Sequence, residues 1–240
     1  MISAALTNVR MRPQRVVALA RYAELAPHYD ARCARISRVR DYALEALNPR
    51  PGETIIDVAC GTGAMLPGLA ERVGKAGRVI GIEQSPHMVS RARKRFSGWE
   101  LPANVRIVEA PVEEARTRLR ADAMLLCYTH DVLQLEHAVQ NLVRMAKPGA
   151  RVVVVGLRLL PWRYAAPVNV WNCWTVRKYL TTYRGLRRPW QLLRRYCSDF
   201  AIIQTFHAGS SYAALGHLDV RKMEEPNVVD GRRKAIEMVN

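Results

Sequence analysis

The sequence predicts an α/β fold. We expect a doubly wound, mainly parallel seven-stranded sheet with a C-terminal antiparallel hairpin, helices on both faces, N-terminal helices and a helical insertion. Three observations predict it. Short apolar runs alternate with helical patterns at close spacing, the rhythm of strand–helix–strand units. The runs are apolar at successive residues, as in Ala123–Tyr128, which suits a parallel strand covered on both faces. After Val155 the rhythm stops, and Ala208-Gly209-Ser210 joins two final runs.

Taken in order, residues 14–47 read as helices. Val16, Val17, Leu19 and Ala20 cluster, and Ile36, Val39, Tyr42, Ala43 and Leu47 form a stripe near helical spacing. Asn48-Pro-Arg-Pro-Gly52 breaks the pattern. Thr54–Val58 is a strand with Asp57 near its end; Ala59-Cys-Gly-Thr-Gly63 leads into a helix to Arg72. Gly74–Gly77 turns the chain into a strand at Arg78–Ile82, ending at Glu83. Helix Pro86–Phe96, strand Val105–Val108, helix Val112–Leu119, strand Ala123–Tyr128, helix Val132–Met145 and strand Arg151–Val155 follow. Residues 157–198 are an aromatic, Arg-rich insertion of helices on the substrate side. Phe200–Phe206 and Ser211–Leu218 form the hairpin, and 219–240 are a polar tail, helical at most from Gly231. The chain thus reads as one domain: a lid over 1–48, a core over 49–218 and the tail.

Composition narrows the class. A chain of 240 residues, 49% hydrophobic and 24% charged, suits one large domain and excludes a disordered or collagen-like chain. No run reaches the roughly 18 apolar residues of a membrane span. The 5 cysteines are scattered with no CxxC pair, so neither a zinc site nor a disulfide framework is expected, and no metal. With no secretory h-region, a cytoplasmic location is expected. The net charge is +16, and residues 151–200 hold 10 Lys and Arg against only Asp199. Such a patch suits an anionic partner or is a solvated surface.

At the end of the first strand, glycines let backbone approach a ligand and a helix N-terminus offers free N–H groups. The dinucleotide pattern G-x-G-x-x-G fails, because position 66 is Leu. Glu83 ends the next strand, where an acid can accept both ribose hydroxyls. A ribose carboxylate with no pyrophosphate loop points to a nucleoside without phosphates.

Here the sequence resembles the class I, Rossmann-like, S-adenosyl-L-methionine (SAM)-dependent methyltransferases. The matching pieces are Ile55-Ile-Asp-Val-Ala-Cys-Gly-Thr-Gly63, Gly81-Ile-Glu-Gln-Ser85, Val108-Glu-Ala-Pro-Val-Glu113, Lys147-Pro-Gly-Ala-Arg-Val152 and the hairpin Gly209–Gly216. Tyr22-Ala-Glu-Leu-Ala-Pro-His-Tyr-Asp30 resembles the opening of the quinone and small-molecule methylase branch. The resemblance implies SAM as cofactor, with Asp57 at its methionyl end, Gly61 and Gly63 against its backbone-facing side, and Glu83 on the ribose. Gln84, Met88 and Val112 would neighbour the adenine, Tyr22 and Tyr29 would close the methionyl side, and Cys127 would line the site. Where many relatives carry an adenine-reading acid, this chain has Pro111, which moves that contact to the Val112 backbone or Glu113. Plainer readings stand beside these: Asp57 as a helix cap, Glu83 as a solvated strand end, Tyr22 and Tyr29 as core aromatics, and Met88 as packing.

Candidate bases follow the fourth strand, at the ligand-binding edge of the sheet. There His130 would take a proton, Asp131 would orient it and Tyr128 would line the acceptor pocket; alternatively His130 and Asp131 only cap the next helix. The insertion's Trp162, Tyr164, Trp171, Trp174, Tyr179, Tyr183 and Trp190 favour a small apolar or aromatic acceptor. Its Arg163, Arg177, Lys178, Arg187, Arg188, Arg194 and Arg195 keep open a phospholipid or amine N-methyltransferase at an anionic membrane surface. A nucleic-acid modifier or non-catalytic SAM-binding regulator has only the charge in its favour.

Overall fold

The computed structural model describes residues 13–96 and 101–223. The apolar runs hydrogen-bond side by side as strands β1 (Thr54–Val58), β2 (Arg78–Glu83), β3 (Val105–Glu109), β4 (Ala121–Cys127), β5 (Ala146–Leu157), β6 (Cys197–Phe206) and β7 (Ser211–Leu218). Their order is β3-β2-β1-β4-β5-β7-β6. β1 to β5 pair in parallel, and β7 runs antiparallel between β5 and β6.

Successive side chains of each strand point to opposite layers. Ile56, Val58, Met124, Leu126 and Val152 join one core; Ile55, Ala123, Leu125 and Val153 join the other. The second core is covered by α3 (Ser37–Leu47), α4 (Leu66–Val73) and α5 (Pro86–Lys94). The first is covered by α6 (His130–Leu133), α7 (Glu136–Arg144) and α9 (Gln191–Arg194). Before them in the chain stand α1 (Arg15–Leu25) and the short α2 (Tyr29–Arg32), and the insertion contains α8 (Trp162–Val176). β1 has β2 on one side and β4 on the other, so the chain winds outward in both directions from this pair. The crevice beyond their carboxyl ends is the topological switch point, where open α/β sheets bind ligands.

Three expectations are corrected. Residues 112–119 form turns and irregular chain, not a helix. The buried Asn141 amide donates to the carbonyls of Val112 (2.7 Å) and Ala115 (2.9 Å), satisfying from outside the backbone groups that a helix would pair. The single helix expected over Val132–Met145 is two, α6 and α7, because Leu135 is extended and caps the second. In the insertion, 177–190 are turns and loop rather than helix. The tail beyond Met223 and residues 1–12 lie outside the described residues.

Candidate active site

After Val58 the chain turns sharply, with positive φ at Ala59 (50°), Gly61 (57°) and Gly63 (71°). A Cβ on Gly63 would stand 3.0 Å from both Ala92 Cβ and Leu66 Cδ1. Only glycine lets this loop close against α4 and α5. The Gly61 N–H donates to Glu83 Oε2 (2.9 Å) and the Ser85 N–H to Oε1 (2.8 Å). The buried carboxylate is thereby fixed at the sheet edge, and each oxygen keeps acceptor capacity. Burial raises the Glu83 pKa, and the backbone donors oppose that rise.

Asp57 is buried, and its Oδ2 has no hydrogen-bond partner. Burial pushes its pKa up to about 7, against the pull of the Arg40 guanidinium and with a further push from Glu83. A buried, unsatisfied carboxylate oxygen is a group built to meet something. Tyr22, Tyr29, Gly61, Glu83, Gln84 and Met88 line the adjoining hollow of about 580 Å³, as does Cys127, whose thiol burial pushes up to about 12. Among the described residues no Lys or Arg lines it. Beyond Gln84 it opens into a second hollow of about 620 Å³, lined by Ile82, Ala110, Val112 and Glu113. Glu83 in this lining suits the vicinal hydroxyls of a nucleoside; Asp57, at the end of β1, lies outside the lining of all three hollows, and its unpartnered oxygen suits a cation that reaches it.

Past β4, Tyr128 takes a left-handed backbone (φ 58°), strain of a kind that gathers at functional sites. Its hydroxyl is buried without a partner of ordinary geometry, and burial pushes its pKa up to about 12. His130 is buried with neither ring nitrogen in a hydrogen bond of ordinary geometry, and that burial lowers its pKa to about 4, against an opposing pull from the Arg184 backbone. The orienting role expected of Asp131 is not what the structure holds. Asp131 Oδ2 instead accepts from the Thr181 N–H (2.9 Å) and hydroxyl (2.5 Å), because the insertion folds over this edge. Thr181 Oγ1 in turn accepts from the Gln14 N–H (2.9 Å), clasping the start of α1 to the same point.

A third cavity, about 760 Å³, lies behind these residues. Leu133, Leu157, Leu180, Leu186 and Tyr212 give it apolar walls, and among the described residues its only formal charges are Arg32 and Arg35. It shares Tyr22, Tyr29, Tyr128, His130 and Tyr179 with the hollow beside Glu83. Those side chains are the partition between two chambers.

A family model described as "Methyltransferase domain" matches residues 55–149, the span that builds this edge. Residues 55–149 are a methyltransferase domain, similar to those of the class I SAM-dependent methyltransferase family. SAM is the cofactor of that family, and the donor set beside Glu83 suits it. The chain is 38% identical, over 46% of its length and 32% of the other's, to an uncharacterised 37.1 kDa transposon protein of Streptomyces fradiae. It is 29% identical to a 2-phytyl-1,4-naphthoquinone methyltransferase of Nostoc, over 48% of this chain and 52% of that one. The chain spans about half or less of the length of these relatives. Its fold matches that of the N-methyltransferase NodS from Bradyrhizobium japonicum in complex with S-adenosyl-L-homocysteine (SAH). That match has a TM-score of 0.54 and 17% identity, over 77% of this chain and 90% of NodS.

Sequence reading missed two parts of the candidate site, Arg40 and Asp30, and named Tyr179 among the insertion's aromatics without placing it. Tyr179 joins the partition from the insertion, its carbonyl accepting from the Tyr22 hydroxyl (3.1 Å) and its ring centroid 6.1 Å from that of Tyr29. Arg40 supplies the cation nearest Asp57 from α3, a helix with no motif to flag it. Asp30 latches α2 to the glycine loop: it accepts from the Thr62 hydroxyl (2.5 Å) and pairs with Arg95 (2.5 Å). Asp30 closes the Tyr22–Asp30 motif, the one signal that could have found it.

Proposed function

We propose that this methyltransferase methylates a small apolar or aromatic acceptor held in the 760 Å³ cavity. The observation that carries the reading is the shared partition. A donor in one chamber and an acceptor in the other meet across Tyr22, Tyr29, Tyr128, His130 and Tyr179. The Nostoc relative is named for a naphthoquinone, an acceptor of the same character, which supports the reading.

In this reading Glu83 accepts the ribose hydroxyls, Asp57 holds the ammonium, and Gly61 admits the ligand against backbone, while Gly63 lets the loop close on α4 and α5. Gln84, Met88 and Val112 flank the adenine, while Tyr22 and Tyr29 roof the methionyl side. When bound, SAM supplies an activated methyl group on a sulfonium. The protein's work is then alignment and exclusion of water. Tyr128 and His130 offer the unpartnered polar atoms of the acceptor chamber, and His130 is neutral at pH 7. Its imidazole can therefore accept the proton of an acceptor hydroxyl.

The test is incubation with methyl-labelled SAM in parallel arms: apolar phenols and quinols, phosphatidylethanolamine, and RNA. Label on a phenol or quinol is expected; label confined to lipid amine or RNA, or none in any arm, overturns the proposal. His130→Gln should lower kcat by on the order of 10²-fold with SAH affinity kept within about twofold. An unchanged kcat would remove His130 from proton transfer.

A further inference from the structure

Helix α8 is mostly apolar, with Arg163, Asn169, Asn172 and Thr175 as its polar residues, yet it buries only Ala165 and Asn169. The Asn169 side chain fixes which face is inward: its amide donates to the Leu160 carbonyl (2.8 Å) and its Oδ1 accepts from the Leu160 N–H (3.0 Å). Beyond a break at Ala165 (φ −129°), Trp171 (62%) and Trp174 (56%) stand exposed with Val168 and Val170, and before the break Trp162 (48%) and Tyr164 (65%) are exposed as well. Within the segment after the break, Val170, Trp171 and Trp174 fall on the side away from Asn169 and form an exposed apolar patch, the kind that marks an interaction surface. Trp171 and Trp174 stack on each other, their centroids 5.5 Å apart. Cations sit directly on these exposed aromatics. The Arg177 guanidinium lies 4.3 Å from the Trp174 ring centroid and that of Arg163 lies 5.5 Å from the Tyr164 ring centroid. Lys178 follows, and no Asp or Glu occurs between Glu136 and Asp199.

We propose that this outer face of α8 docks the protein on an anionic lipid surface. Trp and Tyr are the side chains suited to the headgroup layer, with Lys and Arg reaching the phosphates above them. Charge selects among occupants. A second copy of the chain would bring one basic rim against another in a molecule of net charge +16, whereas an anionic bilayer neutralises it. Among the described residues no helix is long and apolar enough to cross a membrane, so the contact is with the surface. The position also has a use. Val176, the last residue of α8, and Tyr179 and Leu180 just beyond it line the acceptor cavity. A docked α8 therefore sets the chamber beside the bilayer, from which a lipophilic acceptor would be drawn.

Flotation with vesicles of 30% phosphatidylglycerol in phosphatidylcholine, and with pure phosphatidylcholine, tests the contact without any turnover, so it stands or falls apart from the acceptor assignment. The full chain should bind the anionic vesicles and release them as salt rises from about 0.1 to 1 M, where the screening length falls from roughly 10 to 3 Å. Trp171→Ala with Trp174→Ala should abolish binding. Arg163→Glu, Arg177→Glu and Lys178→Glu together should weaken it by on the order of a hundredfold, at roughly fivefold per cation. Both variants should keep the wild-type melting temperature and SAH affinity, since the altered side chains are exposed. Absence of binding at low salt, binding indifferent to both variants, a Trp171-dependent dimer in sedimentation without vesicle binding, or binding to an RNA oligonucleotide alone would each overturn the proposal.

Discussion

At the residue scale, two buried carboxylates do different things because their partners differ. Glu83 is held by two backbone donors, so its position is set before any ligand arrives. Glu83→Ala should weaken SAH binding by about 1.5–3 kcal/mol, the range for hydrogen bonds to a charged group. Calorimetry checks this, and wild-type affinity in the variant would remove Glu83 from the site. Asp57 has an oxygen with no partner, and its pKa rises from 3.8 to about 7. The folded chain therefore keeps a proton that the unfolded chain releases, and this contribution to stability, full below about pH 4, is lost as pH rises to 7. A ligand ammonium needs the charged form, so SAH affinity should rise through the same window. From pH 5.5 to 7.5 the gain should be on the order of twentyfold, and Asp57→Asn should flatten the profile. A flat wild-type profile would show that Asp57 does not meet the ammonium. Both acids stand in the sequence at strand ends, and that much of the site is legible. Arg40 is not, nor is the place that Tyr179 takes among the insertion's aromatics, since only packing brings α3 and the insertion to the same edge.

At the element scale, the roof over the site is a clasp of three chain segments. Asp131 holds Thr181, Thr181 holds the start of α1, and Arg21 of α1 donates back to the Leu180 carbonyl (2.5 Å). Asp131→Ala leaves two donors without their acceptor, which should cost about 1.5–3 kcal/mol locally. Hydrogen exchange should then quicken in residues 177–183 and 15–25 while β1 and β4 stay protected. Uniform loss of protection, or none, would mean that Asp131 is not the fastener of the roof. The same scale explains the misread helix at 112–119. Its local pattern is helical, but the Asn141 amide on α7 binds the Val112 and Ala115 carbonyls. A long-range hydrogen bond outweighs a weak local preference.

At the scale of the whole molecule, the crevice beyond β1 and β4 couples ligand binding to folding, because its walls come from the glycine loop, β2, β4, α1 and the insertion. SAH at about 100 times its Kd should stabilise the fold by about 2.7 kcal/mol and raise Tm by about 5–10 °C. Glu83→Ala at the same SAH concentration should show a smaller shift. An SAH-independent Tm in the wild type would count against the nucleoside reading of the crevice.

Order along the chain was enough for the sheet and for the acids that end its strands. Strand identity rests on apolar runs of local character, and the turns between them on Gly and Pro, so β1, β2, β3, β4, β5 and the β6–β7 hairpin are written in the sequence itself. What the tertiary structure decided is which side chains meet. It gave Asp131 to Thr181 instead of His130, turned Tyr179 into a wall between two chambers, and exposed the Trp face of α8 by burying Asn169 on the other side. Each of these contacts joins residues far apart in the sequence or depends on which face of a helix is covered, and no local pattern carries that information.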